Sequence, residues 1–151
     1  GVRELAVSSR HPTVSSLAPS FLAAAPAAEG FRGVRWDRRE RVRTVTLDGL
    51  VARHGMPAYV KIDVEGFELE VLAGLSRAVP LVSVEYLPAF PQPAFGVIER
   101  LEGLGDYRFA PVVGERSGFL WKDWRDGDAV RSWLGGLPAG APSGDLFARL
   151  A

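Results

Sequence analysis

Lys61, Asp63 and Glu65 occupy alternate positions of Tyr59-Val60-Lys61-Ile62-Asp63-Val64-Glu65-Gly66, a run that reads as a strand turning straight into a helix. Successive strand side chains point to opposite faces, so Val60, Ile62 and Val64 share one face and Lys61, Asp63 and Glu65 the other. A strand inside a parallel sheet normally reads as a continuous apolar run. Three ionisable groups here therefore require partners, a ligand or an exposed edge. In open α/β sheets ligands sit outside the carboxyl ends of the strands, which is where Asp63 and Glu65 fall. Carboxylates so placed are suited to orienting a bound hydroxyl or taking its proton. The structural alternative is that Glu65 caps the following helix while Asp63 pairs with Lys61 or an arginine.

Further acids surround this pair. Glu68 lies one turn beyond Glu65, so the two carboxylates can face one pocket or share a helix N-terminus. Glu85 ends a second apolar strand, Leu81 to Val84, where it meets a ligand or anchors an arginine. Glu70 reads as a solvated helix residue. His54 closes a helix, where a cation complements the dipole, and no acid stands at triad or metal-ligand spacing from it. Trp121, Trp124 and Trp133 fit packing better than a substrate platform. Magnesium held by Asp63, Glu65 and Glu85 ranks last, because no histidine or second acidic cluster supports it, and no metal is expected.

The run Lys61-Ile62-Asp63-Val64-Glu65-Gly66-Phe67-Glu68-Leu69-Glu70-Val71-Leu72 is preceded by Thr44-Val45-Thr46-Leu47-Asp48-Gly49-Leu50 and followed by Val82-Ser83-Val84-Glu85-Tyr86. In order and spacing these blocks resemble the C-terminal part of the FkbM family of S-adenosylmethionine-dependent methyltransferases. Leu101 to Phe109 is similar to the family's late helix leading into a strand, and the similarity covers roughly residues 40 to 125. The resemblance implies an α/β fold: the C-terminal half of a Rossmann-like class I methyltransferase sheet, mostly parallel with a late antiparallel hairpin. It also implies S-adenosylmethionine as cofactor and a small-molecule hydroxyl acceptor from a sugar, polyketide or other secondary metabolite. By the same resemblance Asp63 and Glu65 are the catalytic positions, with Asp63 also near the cofactor. Lys61, Glu68, Glu85 and His11 fall on the acceptor side. The glycine-rich turn after a first strand, and the acid that would hold a ribose, are not found between Gly1 and Pro57. The chain is therefore expected to be the C-terminal piece of a longer enzyme or a degenerate relative, inactive by itself. The alternative to an enzyme is a non-catalytic remnant that binds a partner.

Composition narrows the partners. The 151 residues and 47% hydrophobic content suit one domain with a real core. Eighteen basic and eighteen acidic residues leave no net charge to recruit nucleic acid or an anionic membrane. No apolar run approaches the roughly 20 residues needed to span a bilayer. Without cysteine there is no disulfide or thiolate chemistry, and a reducing cytoplasm is the expected setting.

A single partial methyltransferase domain is expected over 1–151: a loop-rich opening segment (1–40), a core (41–125), and a C-terminal helix with its tail (126–151). Leu5 to Ser9 suggests a short strand, and Ser15 to Ala28 a loop with one helical turn. The arginines between Arg32 and Arg43, interrupted by Asp37 and Glu40, suggest a solvated strand edge rather than a nucleic-acid surface. Asp48 is expected to cap a helix over Gly49 to His54, and Asp128 one over Ala129 to Leu134. Between them come helices over Phe67 to Ala78 and Phe95 to Leu104. Arg108 to Val113 and Phe119 to Trp121 are expected to pair as the terminal hairpin, and Leu137 to Gly144 to form a flexible tail linker.

Overall fold

Apolar residues at every second position lay down a four-stranded sheet in the order β3-β4-β6-β5. Its strands are β3 (Val60–Ile62), β4 (Leu81–Tyr86), β5 (Tyr107–Val113) and β6 (Gly144–Leu150). The computed structural model describes residues 1–151, the side chain of Glu29 apart. Val82, Val84 and Tyr86 of β4, Leu146 and Ala148 of β6, and Tyr107 and Phe109 of β5 are buried in one core. Helices α3 (Glu68–Ala73), α4 (Gln92–Glu102) and α5 (Gly127–Gly135) complete it with Leu72, Val97, Ile98, Leu101, Val130 and Leu134. The apolar residues of α4 recur at three- and four-residue spacing, which buries one stripe of the helix.

Only β3 and β4 are parallel, with Ile62 opposite Val84. β6 runs antiparallel to both neighbours, placing Leu146 between Val84 and Pro111. The α/β class is as expected, but the sheet of this chain has one parallel and two antiparallel pairings. The expected hairpin is not formed by Phe119 to Trp121. That segment meets β5 through one bond from Leu120 N–H to the Pro111 carbonyl (2.7 Å) and, farther on, a bridge between Phe109 and Arg125. Phe109 turns its backbone to this outer edge, so Pro111, two residues on, would have to donate there and has no N–H. The partner of β5 is instead β6, drawn from the C-terminal segment read as a helix and tail. Beyond the linker, that segment is a central strand.

The second sheet is an antiparallel ribbon of β1 (Val2–Val7) and β2 (Arg38–Arg43), with Leu5 opposite Glu40. Its arginines are mostly exposed; Arg38 pairs with Glu40, and Arg39 lies 3.7 Å from Glu4. Between the strands the chain makes a 3-10 turn at Pro12–Val14, helix α1 (Pro19–Ala24) and two more 3-10 turns. Phe21 meets Phe31 and Trp36 edge-on, forming a small core with Ala18 and Ala25.

Helix α2 (Leu47–His54) joins ribbon to sheet. Its cap is Thr46, whose hydroxyl accepts from Gly49 N–H (3.1 Å); Asp48 already lies inside the first turn and accepts from Ser76 N–H (2.9 Å). In α5 the cap is likewise Asp126, accepting from Ala129 N–H (2.9 Å), while Asp128 pairs with Arg131. The helix after Gly66 is shorter than its apolar spacing suggests, ending at Ala73. Arg100 of α4 donates to the carbonyls of Leu72 and Leu75 around that end. None of the helices among the described residues is long and apolar enough to cross a membrane.

Candidate active site

β3 ends at Ile62, and the next five residues turn the chain into α3 at the carboxyl end of the parallel pair. Two consecutive residues there have positive φ, Glu65 at 51° and Gly66 at 88°. Gly66 is required twice over, by its backbone angle and by a neighbour: a Cβ would lie 2.6 Å from Cβ of Phe21. This turn, with Glu85 near the end of adjacent β4, brings one carboxylate oxygen each from Asp63, Glu65 and Glu85 within 4.8 Å of one another.

Their environments differ. Asp63 is exposed, with Lys61 Nζ 3.7 Å away. Lys61 is held more firmly by Asp145 of β6, at 3.1 and 3.2 Å, and this bond raises its pKa against the opposing effect of burial. Burial pushes the Glu65 carboxyl up to about 7, reinforced by the charges of Asp63 and Glu68. Glu85 is also pushed to about 7, again first by burial and then by Glu65 and the other acids. Glu68 is buried and its pKa is raised by desolvation, although its Oε1 accepts from Gly66 N–H (3.1 Å) and Val64 N–H (3.4 Å). Near neutral pH, Glu65 and Glu85 can each accept or release a proton, whereas Asp63 stands exposed beside Lys61.

Two cavities border this turn. One of about 390 Å³ is bordered by Glu85 and Glu68 and walled by Phe21, Leu69, Leu87 and Phe90. The other, about 850 Å³ and lined on one side by Arg3 and Leu5 of the ribbon, is bordered by Asp63, Val64 and Phe67 together with Arg53. Both volumes suit small molecules, and an apolar wall with a few convergent polar groups is the usual form of such a site.

A sequence model of the Methyltransferase FkbM domain matches residues 5–141. The chain belongs to the FkbM methyltransferase family. Comparison with curated proteins and with solved structures returned no match. FkbM membership points to a methyl donor, and the residues present can be tested against S-adenosylmethionine. Among the described residues, β1 leads into Ser8-Ser9-Arg10-His11-Pro12 without a glycine, and the glycine after β3 is closed over by Phe21. The glycine-rich cradle of a Rossmann-type site is therefore not formed here, and these residues do not fit the whole cofactor.

Of the positions picked out in the sequence, Asp63, Glu65, Glu85 and Glu68 are brought together, with Lys61 beside them. His11 is not: it lies exposed at the start of the 3-10 turn, its backbone N–H on Ser8 Oγ (3.3 Å), and borders neither cavity. Three further residues of the site are not evident in the sequence. Asp145 was masked by the glycine- and proline-rich stretch before it, although Leu146, Ala148 and Leu150 alternate with Asp145, Phe147 and Arg149 as in a strand. Ser16 and Phe21 approach the turn only through tertiary contact, for which no sequence pattern exists.

Proposed function

We propose that this chain forms the acceptor side of an S-adenosylmethionine-dependent O-methyltransferase acting on a hydroxyl of a neutral small molecule, such as a sugar, a polyketide or another secondary metabolite. The observation that carries this reading is the convergence of Asp63, Glu65 and Glu85 near the ends of two parallel strands, with Glu85 on the wall of an apolar-lined cavity and Asp63 on that of a second. The donor supplies an electrophilic methyl group. The protein must hold the acceptor oxygen in line and remove its proton. Glu65, with a pKa near 7, suits the proton-accepting role. Asp63, exposed beside Lys61, suits orientation of the hydroxyl, and Glu85 a neighbouring hydroxyl. Lys61, beside these acids, is committed to Asp63 and Asp145, so the carboxylate cluster itself disfavours an anionic acceptor.

The test is methyl transfer from labelled S-adenosylmethionine to a panel of neutral hydroxyl compounds by the native gene product. Glu65→Gln and Asp63→Asn are each expected to lower turnover about a hundredfold while the protein stays folded. Unchanged turnover in both folded variants returns the acids to a structural role. A second reading, a non-catalytic relative that binds a partner, is favoured by the lack of a glycine-rich cradle; detectable transfer to any acceptor that depends on Glu65 excludes it.

A further inference from the structure

We infer that Ser16 is a positioning residue that sets the direction of the Glu65 carboxylate. The peptide unit joining Glu65 to Gly66 is held at both ends by buried side chains. Its carbonyl accepts from Ser16 Oγ at 2.7 Å, and its N–H donates to Glu68 Oε1 at 3.1 Å. Ser16 is 1% exposed and Glu68 4%, so water does not compete for either bond. Ser16 cannot swing aside. Its backbone exchanges two hydrogen bonds with Ala6 (2.9 and 3.0 Å), and its Oγ also accepts from Ala18 N–H (2.9 Å).

This clamp accounts for the one non-glycine residue with positive φ in the described chain. A residue with a Cβ is disfavoured in the left-handed region and persists there only where its surroundings over-determine it. Freed from Ser16, the Glu65 carbonyl is no longer pinned, and rotation about the N–Cα bond of Glu65, which carries that carbonyl with it, can return Glu65 to negative φ. Its side chain would then leave the position in which its oxygen lies within 4.8 Å of Asp63 and Glu85. Ser16 thus acts on the site through the backbone, from a segment 49 residues earlier in the chain. In the same geometry Glu68 Oε1 serves as the second clamp.

The inference rests, for its consequence in catalysis, on Glu65 as proton acceptor, and the experiment separates the two. In the 151-residue chain, the amide-to-α-proton coupling and Cα shift of Glu65 report its φ directly. Ser16→Ala, and Ser16→Cys, which is similar in shape, somewhat larger and only a weak donor, are expected to move these signals out of the left-handed range while other core resonances stay in place. Should Ser16→Ala not fold, Ser16→Cys alone decides. Unmoved Glu65 signals in a folded variant that lacks the hydroxyl overturn the inference. In the native gene product, Ser16→Ala is expected to lower turnover about tenfold or more, and to cost nothing further when combined with Glu65→Gln. Full additivity of the two losses overturns the positioning role. If instead Glu65→Gln leaves turnover intact while Ser16→Ala still moves the Glu65 signals, the clamp stands and the proton-acceptor reading falls.

Discussion

Glu65 and Glu85 both favour the neutral carboxyl in the folded chain, which makes stability depend on pH in an unusual sense. A carboxyl whose folded pKa is raised binds its proton more tightly when folded. The stability it contributes is complete below its ordinary value of 4.5, falls as pH rises, and is lost above about 7. Asp37 and Asp48, lowered by hydrogen bonds from Ser9 and Ser76, act in the opposite sense but below 3.8, outside this window. Calorimetry should therefore show a melting temperature that declines between about pH 4.5 and 7.5, and Glu85→Gln should flatten the decline and raise the value at pH 8. A flat profile in the unaltered chain would show that the acids are not desolvated as the geometry requires. The same three carboxylates have the spacing to hold a divalent ion, but methyl transfer needs no Lewis acid to create its electrophile. Activity is expected to survive EDTA. A loss restored by magnesium and reproduced by Glu85→Gln would convert the cluster into a metal site. At this scale the sequence was informative where chemistry and local geometry coincide, as in the alternation of Lys61, Asp63 and Glu65. It was silent on Ser16 and Phe21, whose roles come from folding back over a distant turn.

Between residues and the whole fold, the elements show what pattern reading resolves and what it confuses. All four strands of the main sheet have two-residue alternation. Three of them, β3, β4 and β5, are legible at nearly their true positions, and β6 is hidden because Pro138, Gly140, Pro142 and Gly144 read as a linker. Helix starts are misread by two residues in the same way at α2 and α5. In each case two polar residues stand two apart, and only the one before the first helical residue has the extended backbone that lets its side chain reach back to the third residue on. Asp126→Ala should accordingly cost about 1 kcal/mol in urea unfolding, and Asp128→Ala clearly less, since Asp128 is almost fully exposed. Equal losses would contradict the assigned cap. At the turn into α3 the constraint is steric. Gly66→Ala adds a Cβ against Phe21 at positive φ, and a destabilisation of roughly 1–3 kcal/mol is expected in the same assay. An unchanged midpoint would mean that the turn can relax away from Phe21 at no cost.

The molecule as a whole is closed by its last strand. β6 lies between β4 and β5, so the ladder that joins the acid-bearing parallel pair to the rest of the sheet is made from residues 144–150. Asp145 on one face reaches Lys61, while Leu146 and Ala148 on the other fill the core beneath α4 and α5. Phe147 stacks on Tyr59 at 6.2 Å and meets Phe119 edge-on at 5.4 Å, tying the strand to the chain on both sides of it. Removing 144–151 would expose two strand edges and open a cavity where Leu146 and Ala148 pack. Leu146→Ala alone should cost about 2–5 kcal/mol, a large share of the 5–15 kcal/mol by which domains of this kind are stable. The truncated chain is therefore expected to show no cooperative thermal transition by circular dichroism, and the Leu146→Ala chain a lowered but still cooperative one. A sharp transition in the truncated chain would mean that β4 and β5 can close the sheet without β6, and that the end of the chain is the dispensable tail its composition suggests.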